Sequence, residues 1–371
     1  MTRGLNIAFF GSSLLSAYWN GAATYYRGII RALNARGHRI KFYEPDIYDR
    51  QQHRDIADPS WAETVVYDAE GEAGVWQALE DALGADILVK TSGIGAFDEL
   101  LESAILEIKL PDTLAIFWDV DAPATLDRLD QNPSDPFRRL VPLYDFIFTY
   151  GGGAPVMRAY KALGARECVP IYNALDPETH HPAPTENRFA AHLSLLANRL
   201  PDREARVDEF FLGASALLPD QKFLLGGSGW TDKAMSPNVN YLGHVFTRDH
   251  NAFNSSARAV LNVNRDSMAR YGFSPPTRIF EAAGAAACLI TDEWEGIDLF
   301  LEPGKEILVA RDGAEVAEHS RGLTVKRARS IGAAAWRRVL SKHTYAHRAA
   351  QLEGLLAFGS NQFAWKQTAS A

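Results

Sequence analysis

The sequence predicts an α/β protein with two doubly wound, Rossmann-like halves. Apolar segments typical of strands alternate with segments whose apolar residues recur at helical spacing. This alternation stops once, near position 176, and then restarts. The length of 371 residues also suits about two domains. Alternating strands and helices favour a parallel sheet that is covered by helices on both faces.

The first half begins with a predicted strand at residues 5–10. A helix that opens at Asn20 or Thr24 follows, and Gly37 is a suitable left-handed residue to end it. The apolar face of this helix consists of Tyr26, Ile29, Ile30 and Leu33, which recur at i, i+3, i+4 and i+7. Further strands are predicted at residues 40–43, 64–67, 87–90, 114–118 and 146–150.

The break in the alternation is a segment rich in proline, histidine and polar residues, ALDPETHHPAPTEN. We therefore predict an N-terminal domain at residues 1–175, a linker at 176–190, a C-terminal domain at 191–342 and a last helix within 343–371 that packs back toward the N-terminal domain. Strands of the second half are predicted at 192–197, 223–225, 241–242, 259–263, 288–291 and 307–310. The carboxyl ends of the two sheets are expected to face a cleft in which ligands bind.

Composition and charge restrict the classes of function. The formal net charge of −8 argues against nonspecific nucleic-acid binding, which requires a basic face. Cys168 and Cys288 fit no metal motif and indicate a reducing compartment. No stretch approaches the roughly 20 apolar residues of a membrane span. The N-terminus has no convincing signal-peptide cleavage site, so we expect a cytoplasmic protein.

Residues 261–292 form the most informative segment, because they predict a strand, a polar turn, a helix from Pro276–Thr277 and a second strand. Polar groups surround the start of that helix, which is a suitable anion site. Glu281 lies on the same helix, away from its apolar face, where it can accept ribose hydroxyls. The alternative is an ordinary strand-helix-strand unit in which Arg278 and Glu281 form a surface pair. The residues of this segment that are predicted to bind a nucleotide diphosphate are Arg265, Ser274, Thr277, Arg278 and Glu281.

Two carboxylates in the first half are candidates for a general base. Asp119 and Asp121 follow an apolar strand, and side chains two positions apart on extended backbone point to the same side. If they lie close together, each raises the pKa of the other. The alternative is that one of them caps the helix that begins near Ala124. We expect one to structure the loop and the other to act chemically, and we favour Asp121.

The first loop is a candidate site for a second ligand that accepts a transferred group, because Trp and Tyr rings stack on sugars. Its candidate residues are Ser12, Tyr18, Trp19, Asn20 and Gly21. Tyr18 and Trp19 are equally suited to packing the loop down, and the same two alternatives apply to Trp230. The adjacent His180 and His181 are expected to be solvated linker residues, since no further ligand has metal-site spacing.

Several motifs resemble those of GT-B glycosyltransferases, whose C-terminal half binds a nucleotide sugar and whose N-terminal half binds the acceptor. The general motifs are RGHRIKFYEPD, PIYNALDPETHHP, NYLGHVF and FEAAGAAACLITD. More specific motifs resemble one branch, the CgeB-type glycosyltransferases: FWDVDAPATL, YGGGAPV, NRLPDREARVDEFF, FLLGGSGW and RYGFSPPTRIFEAAG. The resemblance covers most of the chain and implies a GT-B fold of two Rossmann-like domains that face a central cleft.

The resemblance also implies roles for individual residues. Glu281 stands where a glutamate of the superfamily accepts ribose hydroxyls, and Arg199 stands where a basic residue commonly binds phosphate. The backbone that meets the base is then that of His244, Val245 and Phe246, and the glycines that approach the diphosphate are Gly226, Gly227 and Gly229. Trp230 and Tyr271 complete the expected donor-binding residues.

One turn departs from the pattern of the family. Many retaining relatives have a second glutamate in an EGFG-like turn, whereas this chain reads Arg270-Tyr271-Gly272-Phe273. The donor-sugar contact and the stereochemistry therefore stay open.

The expected function is transfer of a sugar from a nucleotide-diphosphate donor to an unidentified acceptor, without a cofactor. No metal is expected. Asp119-Val120-Asp121 matches the Asp-x-Asp pattern of a metal-binding motif, but it lies in the half that is not expected to bind the donor. The expected partners are the nucleotide-sugar donor and a glycan, small-molecule or protein acceptor, not a nucleic acid. The alternatives are a nucleotide-sugar epimerase or hydrolase on the same fold and a non-catalytic nucleotide-sugar-binding protein. An NAD-dependent enzyme is disfavoured, since no Gly-x-Gly-x-x-Gly turn follows the first strand.

Overall fold

The computed structural model describes residues 4–18 and 20–368, with side chains through Ala357. Trp19, an expected acceptor-side residue, lies outside the described residues. The chain forms two compact units. The first contains the residues up to Tyr172 together with the segment from Tyr345 onward, and the second contains Asn173–Thr344.

The first unit contains a seven-stranded parallel sheet with strand order β3-β2-β1-β4-β5-β6-β7. The order reverses between β1 and β4, as in doubly wound folds. Nearly all residues of β1, β4, β5 and β6 are buried, because helices cover both faces of the sheet. The strands are β1 (Asn6–Phe10), β2 (Arg39–Pro45), β3 (Glu63–Tyr67), β4 (Ile87–Thr91), β5 (Leu114–Asp119), β6 (Phe146–Thr149) and β7 (Cys168–Pro170).

Six α-helices connect these strands. The first of them buries Tyr26, Ile29, Ile30 and Leu33, the apolar face that the sequence predicts. The helices are α1 (Ala23–Ala35), α2 (Glu72–Asp81), α3 (Asp98–Glu107), α4 (Ala122–Gln131), α5 (Phe137–Leu140) and α6 (Gly153–Ala162). Short 3₁₀ turns occupy Arg50–His53 and Val141–Leu143.

The second unit contains a six-stranded parallel sheet with strand order β10-β9-β8-β11-β12-β13. Here the order reverses between β8 and β11. The strands are β8 (Leu193–Leu196), β9 (Phe223–Gly226), β10 (Val239–Gly243), β11 (Ala259–Asn262), β12 (Leu289–Asp292) and β13 (Leu308–Ala310).

Alternate residues of the second sheet face two apolar layers. Leu193, Leu195 and Leu225 belong to the larger layer, whereas Leu196 and Leu224 belong to the smaller one. The helices of this unit are α7 (Pro201–Val207), α8 (Ala214–Leu217), α9 (His250–Ser256), α10 (Asp266–Tyr271), α11 (Thr277–Gly284), α12 (Gly313–Gly322) and α13 (Val325–Lys342). A π-helical segment, Asp208–Gly213, joins α7 to α8, and 3₁₀ turns occupy Asn187–Phe189, Thr247–Asp249 and Ile297–Leu299.

The last helix, α14 (Tyr345–Thr368), belongs to the first unit and packs against α1. Close packing at this contact depends on a glycine. A Cβ on Gly28 of α1 would lie 2.2 Å from the Tyr345 ring. On the surface of the same contact, Glu353 pairs with Arg36 at 2.5 Å.

The two parallel sheets confirm the predicted α/β class. Every strand was predicted except β7, which is three residues long and begins at Cys168. The segment predicted as a linker is ordered where it passes α9. The N–H groups of Ala183 and Glu186 donate to the hydroxyls of Ser255 and Ser256.

Candidate functional site

The carboxyl edge of the second sheet carries polar residues where the strand order reverses. Arg199 follows β8, and Asn264 and Arg265 follow β11. Ligands of doubly wound sheets bind at such a reversal, because the loops from the two neighbouring strands diverge there. Helix α11 begins beyond this edge at Thr277, with Pro276 directly before it in extended conformation.

Three arginines come together at this edge, and we call Arg203, Arg265 and Arg278 the arginine cluster. Burial, followed by the charges of Arg278 and Arg265, lowers the pKa of Arg203 to about 10, although Asp292 and Asp202 act in the opposite direction. Arg265 Nε donates to Asp202 Oδ2 at 3.0 Å. Like charges repel, so a cluster of this kind is stabilised by an anion among its members.

Several polar atoms of the cluster and of its surroundings have no hydrogen-bond partner among the described residues. These buried atoms are Arg203 Nε, Arg278 Nη1 and both side-chain polar atoms of Asn264. The backbone N–H of Asn264 is held by the buried Asp292 carboxylate, which also accepts from Arg206 Nη2 at 2.6 Å. A buried polar group without a partner is costly, so these atoms are available to a polar ligand.

Arg199, which is not a member of the arginine cluster, pairs with two carboxylates. Its Nη2 donates to Glu204 at 2.7 Å and its Nη1 to Asp232 at 2.8 Å. The hydrogen bond to Glu204, followed by the hydrogen bond to Asp232, raises the pKa of Arg199. The guanidinium predicted to bind phosphate is therefore already neutralised by two carboxylates.

The glycine turn after β9 packs against the backbone that follows β8. Gly227 has a φ of +119°, and a Cβ there would lie 2.1 Å from the Ala197 carbonyl oxygen. Gly229 has a φ of +92° and contacts the Arg199 side chain. Trp230 is fully buried, and its Nε1–H donates to Ala197 O at 2.8 Å. Of the two alternatives for Trp230, the structure therefore shows the packing role, because its ring lies inside the core.

Glu281 lies in the middle of α11, roughly opposite the buried Ile279 and Ala283. Its Oε2 lies 3.2 Å from Arg278 Nη1, so the two side chains form an ion pair. The N–H direction of Arg278 Nη1 does not meet the angle of a hydrogen bond. The i,i+3 pair of the alternative prediction thus exists, but its side chains are only 20% and 13% exposed. Burial raises the pKa of Glu281, whereas the charges of Arg278, His180 and His250 outweigh burial and lower it.

Two histidines lie beside Glu281. His180 is buried, with its Nε2 at 3.9 Å from Glu281 Oε1. The expectation that His180 is solvated was therefore wrong. The ordered turn that starts at Asp176 directs this side chain inward. His181 is exposed, as expected. His250 begins α9, and burial followed by the charge of Arg278 lowers its pKa to about 4.

The other predicted residues near α11 have local partners. Ser274 is buried and its Oγ donates to Gly272 O at 2.9 Å. Thr277 Oγ1 accepts from Asn173 Nδ2 at 3.3 Å. Tyr271 is half-buried at the end of α10. These contacts shape the turn that leads into α11.

The turn after β10 presents an aromatic surface. Phe246 is 56% exposed and packs edge-on against His244, with ring centroids 4.8 Å apart. Val245 is buried, and its carbonyl accepts from His250 Nε2 at 3.3 Å. The Val245 carbonyl is thus already occupied, whereas the Phe246 ring faces solvent.

In the first unit, Asp119 and Asp121 differ in environment. Asp119 is fully buried, and its Oδ1 accepts from Ser92 Oγ, the Asp121 N–H and Thr125 Oγ1. Its Oδ2 accepts from Tyr160 at 2.5 Å. Burial, followed by the charge of Asp119, raises the pKa of Tyr160. Asp121 is half-buried and precedes α4, with no side-chain capping bond to that helix. The residue that structures this loop is Asp119.

The first loop is held mainly by its own hydrogen bonds. Ser12 Oγ donates to Asn20 Oδ1, and both residues are buried. Asn20 Nδ2 donates to the carbonyls of Ser13 and Ser16. Tyr18 is 40% exposed and stacks on His53 at 4.0 Å. Gly21 is exposed. Of the predicted acceptor-side residues that the structure describes, Tyr18 and Gly21 are therefore the exposed ones.

Sequence reasoning missed Arg203 and His250. Arg203 lies in the motif NRLPDREARVDEFF, four positions after Arg199, and this spacing on a helix start was the available signal. His250 had no local signal, because its neighbours His180 and Glu281 are distant in sequence.

Two further sequence expectations concern the whole chain. Cys168 and Cys288 are free and buried, and burial raises the pKa of each thiol to about 12. None of the described helices combines the length and the apolar character that a membrane span requires.

Comparisons with known proteins agree with this architecture. Residues 203–354 match a family model described as glycosyl transferase-like. Comparison with curated proteins gives no match.

Three similar structures cover nearly the whole chain. Sucrose-phosphate synthase from Thermosynechococcus elongatus is 14% identical with a TM-score of 0.65, and the match covers 95% of this chain and 98% of that one. HepE from Anabaena, in complex with UDP and glucose, is 12% identical with a TM-score of 0.66 and coverages of 95% and 99%. An α-glucosyltransferase in complex with UDP-glucose and DNA is 11% identical with a TM-score of 0.69 and coverages of 95% and 100%. The chain has the GT-B fold of glycosyltransferases, and its residues 203–354 match a glycosyl transferase-like domain.

Proposed function

We propose that this protein is a glycosyltransferase that moves a sugar from a nucleoside-diphosphate sugar to an acceptor that its sequence does not identify. The observation that carries the proposal is the arginine cluster, whose member Arg278 lies at the start of α11, together with Glu281 one turn along the same helix. Cations and a helix N-terminus favour a diphosphate, and a carboxylate beyond them favours a pentose.

The arginine cluster has the chemistry of a leaving-group site. Sugar transfer develops negative charge on the departing diphosphate, and fixed cations stabilise that charge without rearrangement. Arg203 is the proposed main phosphate ligand, because the charges of both other arginines act on it and its Nε is buried without a hydrogen-bond partner among the described residues. We assign it the role that the sequence suggested for Arg199, whose guanidinium is paired with Glu204 and Asp232.

Glu281 is the proposed ribose ligand. An ionised carboxylate accepts hydrogen bonds only, which matches a pair of hydroxyl donors. Arg278 contacts Oε2 and fixes the orientation of the carboxylate, so Oε1 is the oxygen proposed to accept from ribose. For the base, the exposed ring of Phe246 and the backbone of its turn are the proposed contacts.

UDP is the nucleotide with which we would begin. Of the similar structures, those of HepE and of the α-glucosyltransferase contain UDP or UDP-glucose. The assignment to the CgeB-type branch is likewise a proposal, which rests on the motif RYGFSPPTRIFEAAG and its companions.

Asp121 is the proposed general base of the first unit. The four hydrogen bonds to Asp119 assign that carboxylate to the loop. Asp121 is half-buried beside the same strand end, so its carboxylate is the one of the pair that a ligand can reach.

Calorimetric titration with UDP tests the donor site. We expect Arg203→Met and Glu281→Ala each to weaken binding by about 10-fold to 100-fold, because a charge-assisted hydrogen bond contributes about 1.5–3 kcal/mol. Arg270→Ala is the matched control, since Arg270 is 65% exposed and pairs only with Asp266 within the described residues. The proposal fails if Arg203→Met and Glu281→Ala bind UDP as tightly as the control does.

Donor consumption without an acceptor separates transfer from the alternatives. A transferase consumes little UDP-sugar until an acceptor is added. Steady consumption of the donor alone would instead identify an epimerase or hydrolase. Binding without turnover across a panel of glycan and small-molecule acceptors would favour a non-catalytic binder.

We also propose that transfer needs no metal ion. The arginine cluster supplies the cationic charge that a divalent ion would otherwise place on the diphosphate. Protein that EDTA has depleted of metal should therefore turn over at least as fast as protein supplied with Mg²⁺ or Mn²⁺. A rate that falls with EDTA and returns with added Mg²⁺ or Mn²⁺ would contradict this proposal.

A cytoplasmic location is the last part of the proposal. Two free thiols are typical of proteins in a reducing compartment. Fractionation of cells that express the full chain would test it.

A further inference from the structure

We propose that His180, His250 and Glu281 form a binding site for a divalent transition-metal ion of the zinc class. We call these residues the His–His–Glu cluster. One ligand atom from each of the three lies within 4.8 Å of the other two. The residues come from three separate segments: the turn that follows Asp176, the start of α9 and the middle of α11.

The hydrogen bonds of His250 fix its tautomer. Its Nε2 lies 3.3 Å from the Val245 carbonyl oxygen, which can only accept, so Nε2 carries the proton. The lone pair of the neutral ring is then on Nδ1. This atom is buried and has no hydrogen-bond partner among the described residues. A buried acceptor without a partner is costly, and a cation would satisfy it.

The hydrogen bonds of His180 also fix its tautomer and leave one ring nitrogen with a lone pair. Thr179 Oγ1 donates to Asp176 O at 3.2 Å, so it accepts from His180 Nδ1 at 2.9 Å. The lone pair of His180 is therefore on Nε2, the nitrogen that faces Glu281. In metal sites, histidine ligands are oriented in this manner, with the second ring nitrogen donating to a protein oxygen.

The gap between the ligands is too wide for a hydrogen bond and suits an ion. His180 Nε2 and Glu281 Oε1 are 3.9 Å apart. Zinc–nitrogen and zinc–oxygen bonds of about 2.0–2.2 Å at tetrahedral angles place two ligands roughly 3.3–3.6 Å apart. The other separations lie within 4.8 Å, so an inward movement of up to about 1.5 Å would close the site.

The donor set selects the class of metal. Two neutral imidazoles and one carboxylate suit Zn²⁺, Co²⁺ or Ni²⁺ and do not suit Mg²⁺ or Ca²⁺, which prefer oxygen ligands. Arg278 contacts Glu281 Oε2 and leaves Oε1 for the ion. The charge of Arg278 repels the metal, so we expect a site of moderate affinity that fills and empties, unlike a permanent structural zinc.

The site has a consequence that rests on the proposed function. Glu281 is both the proposed ribose ligand and a member of the His–His–Glu cluster. Its Oε1 cannot be fully available to both, so zinc and UDP should compete. Zinc would then inhibit transfer by occupying the donor site, which is distinct from a role in catalysis.

Equilibrium dialysis of the full chain against ZnCl₂ alone tests the metal site, after treatment with EDTA and its removal. We expect one zinc per chain in the wild type. His180→Ala and His250→Ala should weaken binding by at least about tenfold, since even changes around a ligand have effects of about 10–100-fold. His181→Ala is the matched control, because His181 is the adjacent, exposed histidine. His250→Gln provides a second variant that retains a donor toward Val245 O.

Co²⁺ spectroscopy identifies the ligands independently. Tetrahedral Co²⁺ with nitrogen and oxygen ligands gives visible absorption, which should be present in the wild type and His181→Ala and absent in the other variants. Zinc binding that His180→Ala and His250→Ala leave unchanged, or no binding, overturns the proposal.

The competition is measured separately from the site itself. Zinc should lower the apparent affinity of the wild type for UDP by about tenfold or more at concentrations above ten times its own dissociation constant. His250→Gln should bind UDP with an affinity that zinc does not change. If zinc binds as expected and UDP does not bind at all, the metal site stands and the proposed function fails.

Discussion

At the scale of single residues, Asp119 and Asp121 show how burial separates two carboxylates that look equivalent in the sequence. They lie two positions apart after the same strand, yet Asp119 is fully buried and accepts four hydrogen bonds. If this carboxylate were removed, Ser92 Oγ, the Asp121 N–H and Tyr160 would lose this acceptor, whereas Thr125 Oγ1 would keep its second acceptor, the Asp121 carbonyl. Asp121 is half-buried, and its carboxylate makes no capping bond to α4.

We predict opposite effects for substitutions at these two positions. Asp119→Ala should lower the free energy of unfolding by about 3 kcal/mol, because buried donors are left without partners. Asp121→Asn should change it by less than about 0.5 kcal/mol and lower turnover about 10²-fold to 10⁴-fold, the usual contribution of a general base. Urea unfolding and kinetics with saturating donor measure the two effects. Normal turnover in Asp121→Asn would remove the proposed base.

The residues that sequence reasoning located are those with a local signal. Arg265, Arg278 and Glu281 all belong to one strand-turn-helix segment, whose spacing directs them to one edge of the sheet. His250 was missed because its neighbours His180 and Glu281 are far away in the chain, whereas Arg203 was missed although its spacing from Arg199 was available. Arg199 was located, but nothing in the sequence shows that Glu204 and Asp232 pair with it.

At the scale of elements, the turn after β9 determines how closely two strand ends approach. Gly227 N donates to Gly243 O at 2.8 Å, and Gly227 packs on the Ala197 carbonyl. Any side chain at Gly227 would push these ends apart. Gly243 also has a positive φ, of +72°, but a Cβ there would have open space around it.

The two glycines therefore form a matched pair. Gly227→Ala should destabilise the protein by about 3 kcal/mol or more, because backbone strain of about 1–3 kcal/mol adds to the contact with the Ala197 carbonyl. Gly243→Ala should cost only the strain of its left-handed conformation, about 1–2 kcal/mol. Thermal or urea unfolding measures both. Equal losses in the two variants would contradict the close approach at Gly227.

Elements were predictable where apolar periodicity is strong. The apolar face of α1 and the central strands follow from local patterns. Strand β7 has only three residues, one of them Pro170, so it carries too few positions for a pattern. Helix α11 ends at Gly284, because Ala286 adopts a left-handed conformation with a φ of +55°.

At the scale of the whole molecule, the chain leaves the first unit after Tyr172 and returns to it at Tyr345. The returning helix is held by Tyr345, which is buried, lies against Gly28 and packs edge-on with Tyr25 at 6.1 Å. The first unit is thus assembled from segments that are more than 170 residues apart in sequence, which no local pattern reveals.

Two helical glycines test whether this returning helix stabilises the first unit. Gly28→Ala should lower the free energy of unfolding by about 1–3 kcal/mol, because the new methyl group overpacks the contact with the Tyr345 ring. Gly354→Ala lies on the returning helix itself, where a Cβ has open space. It should raise stability by up to about 1 kcal/mol through helix propensity. Hydrogen exchange should be faster in α1 and β1 of Gly28→Ala and unchanged or slower there in Gly354→Ala. A Gly28→Ala variant as stable as the wild type would show that the return of the chain contributes little to the first unit.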